Sequence, residues 1–349
     1  MYFASDNWAG AHPSIAQSLV THASGYAPAY GTSDLDRRVE KIFAEIFERE
    51  VSVFFVSTGT AANALAYSAI SRPGGVMFAH REAHVIEDEC GAPEFLSSGG
   101  RLCPVDGPLG RMDPKGLEAA IGRYPADFVH HGRPVGVTLT QATEIGTIYS
   151  LDEIGTIAGV CRRHKLPLHM DGARFANALV SLDCTPAEMT WKSGVDMVSF
   201  GGTKNGCWCA EALVIFDPHL AADFAFVRKR AAQLFSKSRF VAAQFEAYFD
   251  NGLWLGMAGH ANAMAAKLAD HVDASPDARL GWRPQANEVF PIMKREKFAA
   301  LKEQGAFIHE WGVPAGLDEK FGDDELLCRL VASFATREED VSAFAKLLG

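Results

Sequence analysis

Short apolar runs punctuate the chain from residue 51 to residue 216. Val51–Val56, Gly75–Ala79, Val135–Thr140, Leu166–Met170, Val195–Phe200 and Ala212–Phe216 are short, largely apolar runs that read as strands. Between several of them the apolar period lengthens to that of a helix. Leu35, Val39, Ile42, Phe43, Ile46 and Phe47 fall on one face of a helix that starts near Ser33, with Asp36 placed for a capping box. That stripe is core. A further helix is predicted over Ala61–Ile70. Strand and helix in alternation predict an α/β fold with a mainly parallel sheet, whose ligands gather at the carboxyl ends of its strands.

The pattern changes at about Ala222. Phe224–Ser236, Val241–Ala247 and Ala258–Val272 read as helices, and Ser275–Gln285 is a break rich in turn-forming and charged residues. From Asn287 onward, short β-like runs (Glu288–Met293, Leu327–Phe334) mix with helices. Two units are therefore expected: an N-terminal arm with a large ligand-binding domain over residues 1–245, and a small α+β C-terminal domain over 246–349. Residues 1–30, rich in Gly, Pro, Ser and aromatics, are expected to form an irregular arm. No internal repeat is visible.

Composition narrows the class of partner. Hydrophobic residues make up 48% and charged residues 22% of the 349, with a formal net charge of −10. This is an ordinary globular balance, and its sign argues against nucleic acid or an anionic membrane as partner. No apolar run approaches a membrane span. Met1–Asn7 lacks a basic region followed by an apolar stretch, so a cytoplasmic protein is expected. The seven cysteines are scattered except for Cys207-Trp-Cys209, a spacing too short for zinc, so no metal site is expected.

Candidate chemistry lies at the strand ends. Ser199-Phe-Gly-Gly-Thr-Lys204-Asn-Gly206 sets one lysine in a small-residue turn after an apolar run, and upstream Leu168-His-Met-Asp171-Gly-Ala-Arg174 ends another run in an aspartate. Either residue alone has a commoner fate: a lysine on a solvated surface, an aspartate at a turn or helix cap. Together they are the pair that pyridoxal 5′-phosphate requires. The lysine holds the aldehyde and the carboxylate keeps the pyridine nitrogen protonated, so that the ring acts as an electron sink. Ser57-Thr-Gly-Thr-Ala-Ala-Asn63 puts small residues at a strand-to-helix turn, an anion site in many folds and also a common unliganded cap.

Taken in order, these motifs resemble the threonine aldolase family of pyridoxal-phosphate enzymes, in its low-specificity L-threonine branch, over nearly the whole chain. The resemblance implies the pyridoxal-phosphate-dependent transferase-like fold, with a mainly parallel seven-stranded sheet. It also implies retro-aldol cleavage of L-threonine, L-allo-threonine and related β-hydroxy-α-amino acids to glycine and an aldehyde. Lys204 matches the Schiff-base lysine, Asp171 the partner of the pyridine nitrogen, and Gly59 and Thr60 the phosphate-binding turn. His84 matches the histidine stacked on the ring, and Arg174 an arginine near the ring oxygen and the substrate carboxylate. Ser5 and Arg329 match groups that hold that carboxylate, and Arg239 resembles a basic residue reaching the phosphate. Many family members carry a histidine where this chain has Glu144, which makes Glu144 a further candidate for handling the hydroxyl proton. A homo-oligomer, a dimer of dimers with shared active sites, is also implied.

Rival readings stay within reach of the same fold: a β-eliminating lyase, an aminotransferase or a desulfurase. A dinucleotide-binding oxidoreductase would want G-x-G-x-x-G after an early strand, and the Ser57–Asn63 turn lacks that spacing.

Overall fold

A computed structural model describes residues 1–125 and 127–349. Its larger sheet has seven strands: β1 (Ser52–Val56), β2 (Gly75–His80), β3 (Arg101–Val105), β4 (Arg133–Thr140), β5 (Leu168–Gly172), β6 (Met197–Gly201) and β7 (Glu211–Ile215). They lie in the order β1-β7-β6-β5-β4-β2-β3. β7 runs antiparallel to both its neighbours, and every other adjacent pair is parallel. The carboxyl ends of β1, β2, β4, β5 and β6 therefore share one edge with the start of β7. All residues of β5, β6 and β7 are buried.

Helices cover both faces of this sheet. The helix Asp34–Ile46 opens with the expected capping box: Asp36 N donates to Ser33 Oγ at 3.2 Å and Ser33 N to Asp36 Oδ2 at 3.0 Å. Its stripe residues Leu35, Val39 and Phe43, with Phe47 beyond its end, lie in the main core beside Phe175, Phe200 and Phe245. The helix Gly59–Ile70 follows β1, with Thr58 as its cap.

Five further strands, β8 (Ala278–Leu280), β9 (Glu288–Val289), β10 (Pro291–Lys294), β11 (His309–Trp311) and β12 (Glu325–Val331), form the smaller sheet. Its order is β11-β12-β10-β8, with β9 also paired to β12. The helices Leu253–Ala274 and Glu338–Leu348 enclose its core. The strands of the two sheets fall in separate stretches of the chain, β1–β7 within 52–215 and β8–β12 within 278–331. Residue 245 itself lies inside the helix Arg239–Phe249, and Phe3 of the arm packs in the small core.

Three elements differ from the sequence-based expectation. The arm contains a regular helix, Pro13–Thr21, which buries only Ile15 and is tied down by Ser18 Oγ donating to Ala243 O at 2.7 Å. One buried apolar residue is too little for a periodic signal. The helix expected to reach Ser236 stops at Arg230, and Ala232 adopts φ 60°, which a continuing helix excludes. The strand β3, at the sheet edge, went unpredicted because it alternates in exposure and carries Pro104.

Candidate active site

Five of the predicted groups come from the carboxyl ends of different strands, and the topology brings them to one cavity of about 430 Å³. Gly59 and Thr60 follow β1, His84 follows β2, Glu144 follows β4, Asp171 ends β5 and Lys204 follows β6; all line that cavity. Close packing of the two central turns requires a glycine. A Cβ on Gly201 would sit 2.8 Å from Ala173 O and 2.9 Å from Ala173 Cα, so only Gly lets the Asp171 and Lys204 turns approach. Beyond Lys204, Asn205 Nδ2 donates to Tyr248 Oη at 2.8 Å and to Trp254 O at 2.9 Å, pinning the lysine turn to the core.

Asp171 is buried and held from two sides. Asn63 Nδ2 donates to its Oδ2 at 2.8 Å and Ala173 N to its Oδ1 at 3.0 Å. The same Asn63 nitrogen reaches Glu89 Oε1 at 2.8 Å, and Glu89 Oε1 in turn meets His84 Nδ1 at 2.9 Å. The hydrogen bond that Glu89 accepts, opposed by burial, raises the His84 pKa above the usual imidazole value. Burial raises that of Glu89 as well. On β5 itself, two residues before Asp171, His169 is enclosed between Thr138 Oγ1 (2.8 Å) and Ser199 Oγ (2.9 Å), and burial pushes its pKa down to about 4.

Arg174 is buried and does not line the cavity. Its Nε and Nη2 donate to the Asp6 carboxylate at 2.8 and 3.2 Å, and Nη2 lies 3.3 Å from Glu288 Oε1. Nη1 takes no protein acceptor among the described residues. Arg329, on β12, stacks over Trp311 at 4.0 Å, donates to Ala4 O at 3.3 Å and stands 3.9 Å from Glu288. Ser5 caps a single turn by accepting from Asn7 N at 3.2 Å, and lines a separate hollow. Arg239 lies outside the cavity wall, its guanidinium 3.5 Å from Gly25 O.

Sequence reasoning passed over Asn63, Glu89 and Glu211, all buried and all on the cavity wall. Asn63 carried a signal: it stands one helical turn beyond Gly59 and so faces the same way. Glu89 was hidden in the acidic run Glu87-Asp-Glu89, which reads as solvated. Glu211, an acid between two alanines at the head of an apolar strand, was legible as a buried charge.

A phosphorylated pyridine ring fits these residues. The N–H groups of Gly59 and Thr60, in the first turn of their helix, take no protein acceptor among the described residues and offer an anion cradle. Asp171 is buried, oriented and on the cavity wall, as the partner of a protonated ring nitrogen must be. Lys204 lies on the same wall, free of any salt bridge among the described residues. Among the described residues no cluster of metal-ligating side chains occurs, and no helix is long and apolar enough to cross a membrane.

Comparison with known proteins agrees with this geometry. The family model for beta-eliminating lyases matches residues 2–295. The low specificity L-threonine aldolase of Pseudomonas aeruginosa is 41% identical over 315 residues, covering 89% of this chain and 90% of the relative. That of a Pseudomonas species is 41% identical over 304 residues, 87% of each chain. Among solved structures, the Leishmania major threonine aldolase superposes with a TM-score of 0.91 at 29% identity, covering 99% of this chain and 98% of its own. The chain belongs to the beta-eliminating lyase family and, within it, to the threonine aldolases, with pyridoxal phosphate as cofactor.

Proposed function

We propose that this protein cleaves the Cα–Cβ bond of β-hydroxy-α-amino acids, L-threonine and L-allo-threonine among them, giving glycine and an aldehyde. The observation that carries the reading is the convergence of Lys204, Asp171 and His84 on one cavity with the Gly59–Thr60 turn. When bound, pyridoxal phosphate supplies an electron sink for the pair left at Cα when a bond there breaks. Asp171, fixed by Asn63 and Ala173, holds a proton on the ring nitrogen. The backbone donors of Gly59 and Thr60 hold the phosphate. Lys204 would hold the cofactor aldehyde from the same wall.

Bond choice is a matter of orientation. Arg174, through its open Nη1, and Arg329 bind the substrate carboxylate, with Ser5 beside Asp6 of the arm supporting that end. A carboxylate held by charged forks fixes which Cα bond stands across the ring plane. His84 removes the β-hydroxyl proton. Glu89 and Glu144 raise its pKa, which brings the imidazole nearer the operating pH of an efficient base.

Arg239 serves the phosphate of a neighbouring copy in a homo-oligomer, a dimer of dimers, rather than that of its own chain. Two features support this: one lysine and one histidine face four carboxyl groups in the single-chain cavity, and Trp208 stands 66% exposed at its rim. A cytoplasmic location fits this chemistry, because the free amino acids it consumes are held there.

Aldehyde release from L-threonine, L-allo-threonine and L-phenylserine by the reconstituted protein tests the reading. Equimolar glycine and aldehyde are expected. 2-Oxobutyrate from the two threonines or phenylpyruvate from phenylserine, without glycine, would overturn it in favour of elimination.

A further inference from the structure

Glu211 is a buried acid with no salt-bridge partner among the described residues, and it stands beside the Gly59 turn of the cavity. It opens β7 between Val56 of β1 and Gly201 of β6. It is 6% exposed. Thr203 N donates to its Oε1 at 3.2 Å. Oε2 has no hydrogen-bond partner among the described residues and points to the Gly59 turn, where a Cβ would come within 3.9 Å of it. An ionised carboxylate there would face a phosphate across the same cradle, a repulsion no buried site tolerates. A protonated one is a donor aimed at a phosphate oxygen.

We propose that Glu211 is a phosphate-holding residue, its Oε2 hydroxyl donating to the phosphate seated at Gly59 and Thr60, so that cofactor binding takes up a proton. The inference rests on the cofactor reading of the cavity. Burial already pushes the Glu211 carboxyl up to about 7, and a phosphate beside it raises it further. Above pH 7 the empty site carries an ionised Glu211, which must gain a proton as the phosphate enters. The groups that face it are Lys204, which favours ionisation, and Asp171, Cys207, Cys209 and Tyr248, which oppose it or are themselves neutral.

The test is binding to the full-length apoprotein, read by tryptophan fluorescence, with pyridoxamine 5′-phosphate and pyridoxamine as probes. Neither forms a bond to Lys204, and only the first carries phosphate. The ratio of wild-type to Glu211→Gln dissociation constants for the phosphorylated probe should rise about tenfold per pH unit above pH 7, one proton being linked. For pyridoxamine that ratio should stay flat. A flat ratio for both probes overturns the proposal, and a rising ratio for both overturns the placement at the phosphate. Should Glu211→Gln not fold, calorimetry of the wild type at pH 8 in two buffers of different ionisation enthalpy must show uptake of about one proton with the phosphorylated probe; no uptake overturns it. Failure of wild type to bind either probe, or pyridoxal phosphate itself, strikes the cofactor reading instead.

Discussion

Asn63 donates its side-chain amide to the Asp171 carboxylate at 2.8 Å, from a helix to a strand across the floor of the cavity. The same nitrogen serves Glu89, so one neutral donor separates two buried acids. Asn63→Ala leaves them facing each other with the hydrogen bond gone, which costs about 1.5–3 kcal/mol for a charge-assisted bond. Cofactor affinity should fall roughly tenfold to a hundredfold, measured by equilibrium dialysis. Asn63→Asp, adding a third acid, should be worse. Unchanged affinity in both variants would show that Asp171 needs no support from Asn63.

Much of this site is legible in the sequence, because strand-end residues of a parallel sheet converge by topology. Once Lys204 and Asp171 are placed at the ends of β6 and β5, adjacency follows from the parallel pairing of those strands. What stayed hidden were groups whose neighbours are distant in sequence. Glu89 meets Asn63 only because the helix Gly59–Ile70 lies beside the His84 turn, and Arg174 meets Asp6 only because the arm folds back under the sheet. The Pro13–Thr21 helix was missed for a related reason: it is held by one buried isoleucine and by contacts to a helix far along the chain.

Lys204→Ala should abolish turnover while leaving the fold intact. The side chain is half-buried on a cavity wall and makes no salt bridge among the described residues, so little packing is lost. Circular dichroism and thermal midpoint check the fold; activity loss of several orders of magnitude checks the role. Full activity with undiminished cofactor binding would refute the assignment.

The acid limb of the kcat/KM profile should report His84. Glu89 is the largest influence raising its pKa, and Glu144 adds to it through charge. Removing either negative charge lowers the His84 pKa, so the limb moves to lower pH. Glu89→Gln should shift it further than Glu144→Gln, and His84→Asn should remove it. A limb that vanishes in Glu144→Gln and survives in His84→Asn would transfer the base role to Glu144.

Arg329 should act on substrate rather than cofactor. It stacks on Trp311 and lies near Glu288 with Arg174, and it is not on the cavity wall that carries the Gly59 turn. Arg329→Met keeps much of the stacking volume and removes the charge. KM for L-threonine should rise roughly tenfold to a hundredfold, about 1.4–3 kcal/mol for a lost charge-assisted fork, while the affinity for pyridoxal phosphate stays put. A loss of cofactor affinity with unchanged KM would make the residue structural.

Acid stability should be limited by His169. It is 1% exposed, its two ring nitrogens are engaged by Thr138 and Ser199, and its pKa falls from 6.5 to about 4 in the fold. The unfolded chain therefore binds a proton near pH 6.5 that the folded chain refuses until about pH 4. Below pH 6.5 the unfolded state holds more protons, so stability is lost as pH falls, by about 1.4 kcal/mol per unit and about 3 kcal/mol across the window. Above pH 6.5 both states are neutral and the term vanishes. His169→Gln keeps a donor and an acceptor without the titration. Its stability relative to wild type, from urea unfolding, should improve steadily between pH 6.5 and pH 4 and stay constant from pH 7 to pH 8. A difference independent of pH across the acid window would mean that His169 does not titrate in the unfolding equilibrium.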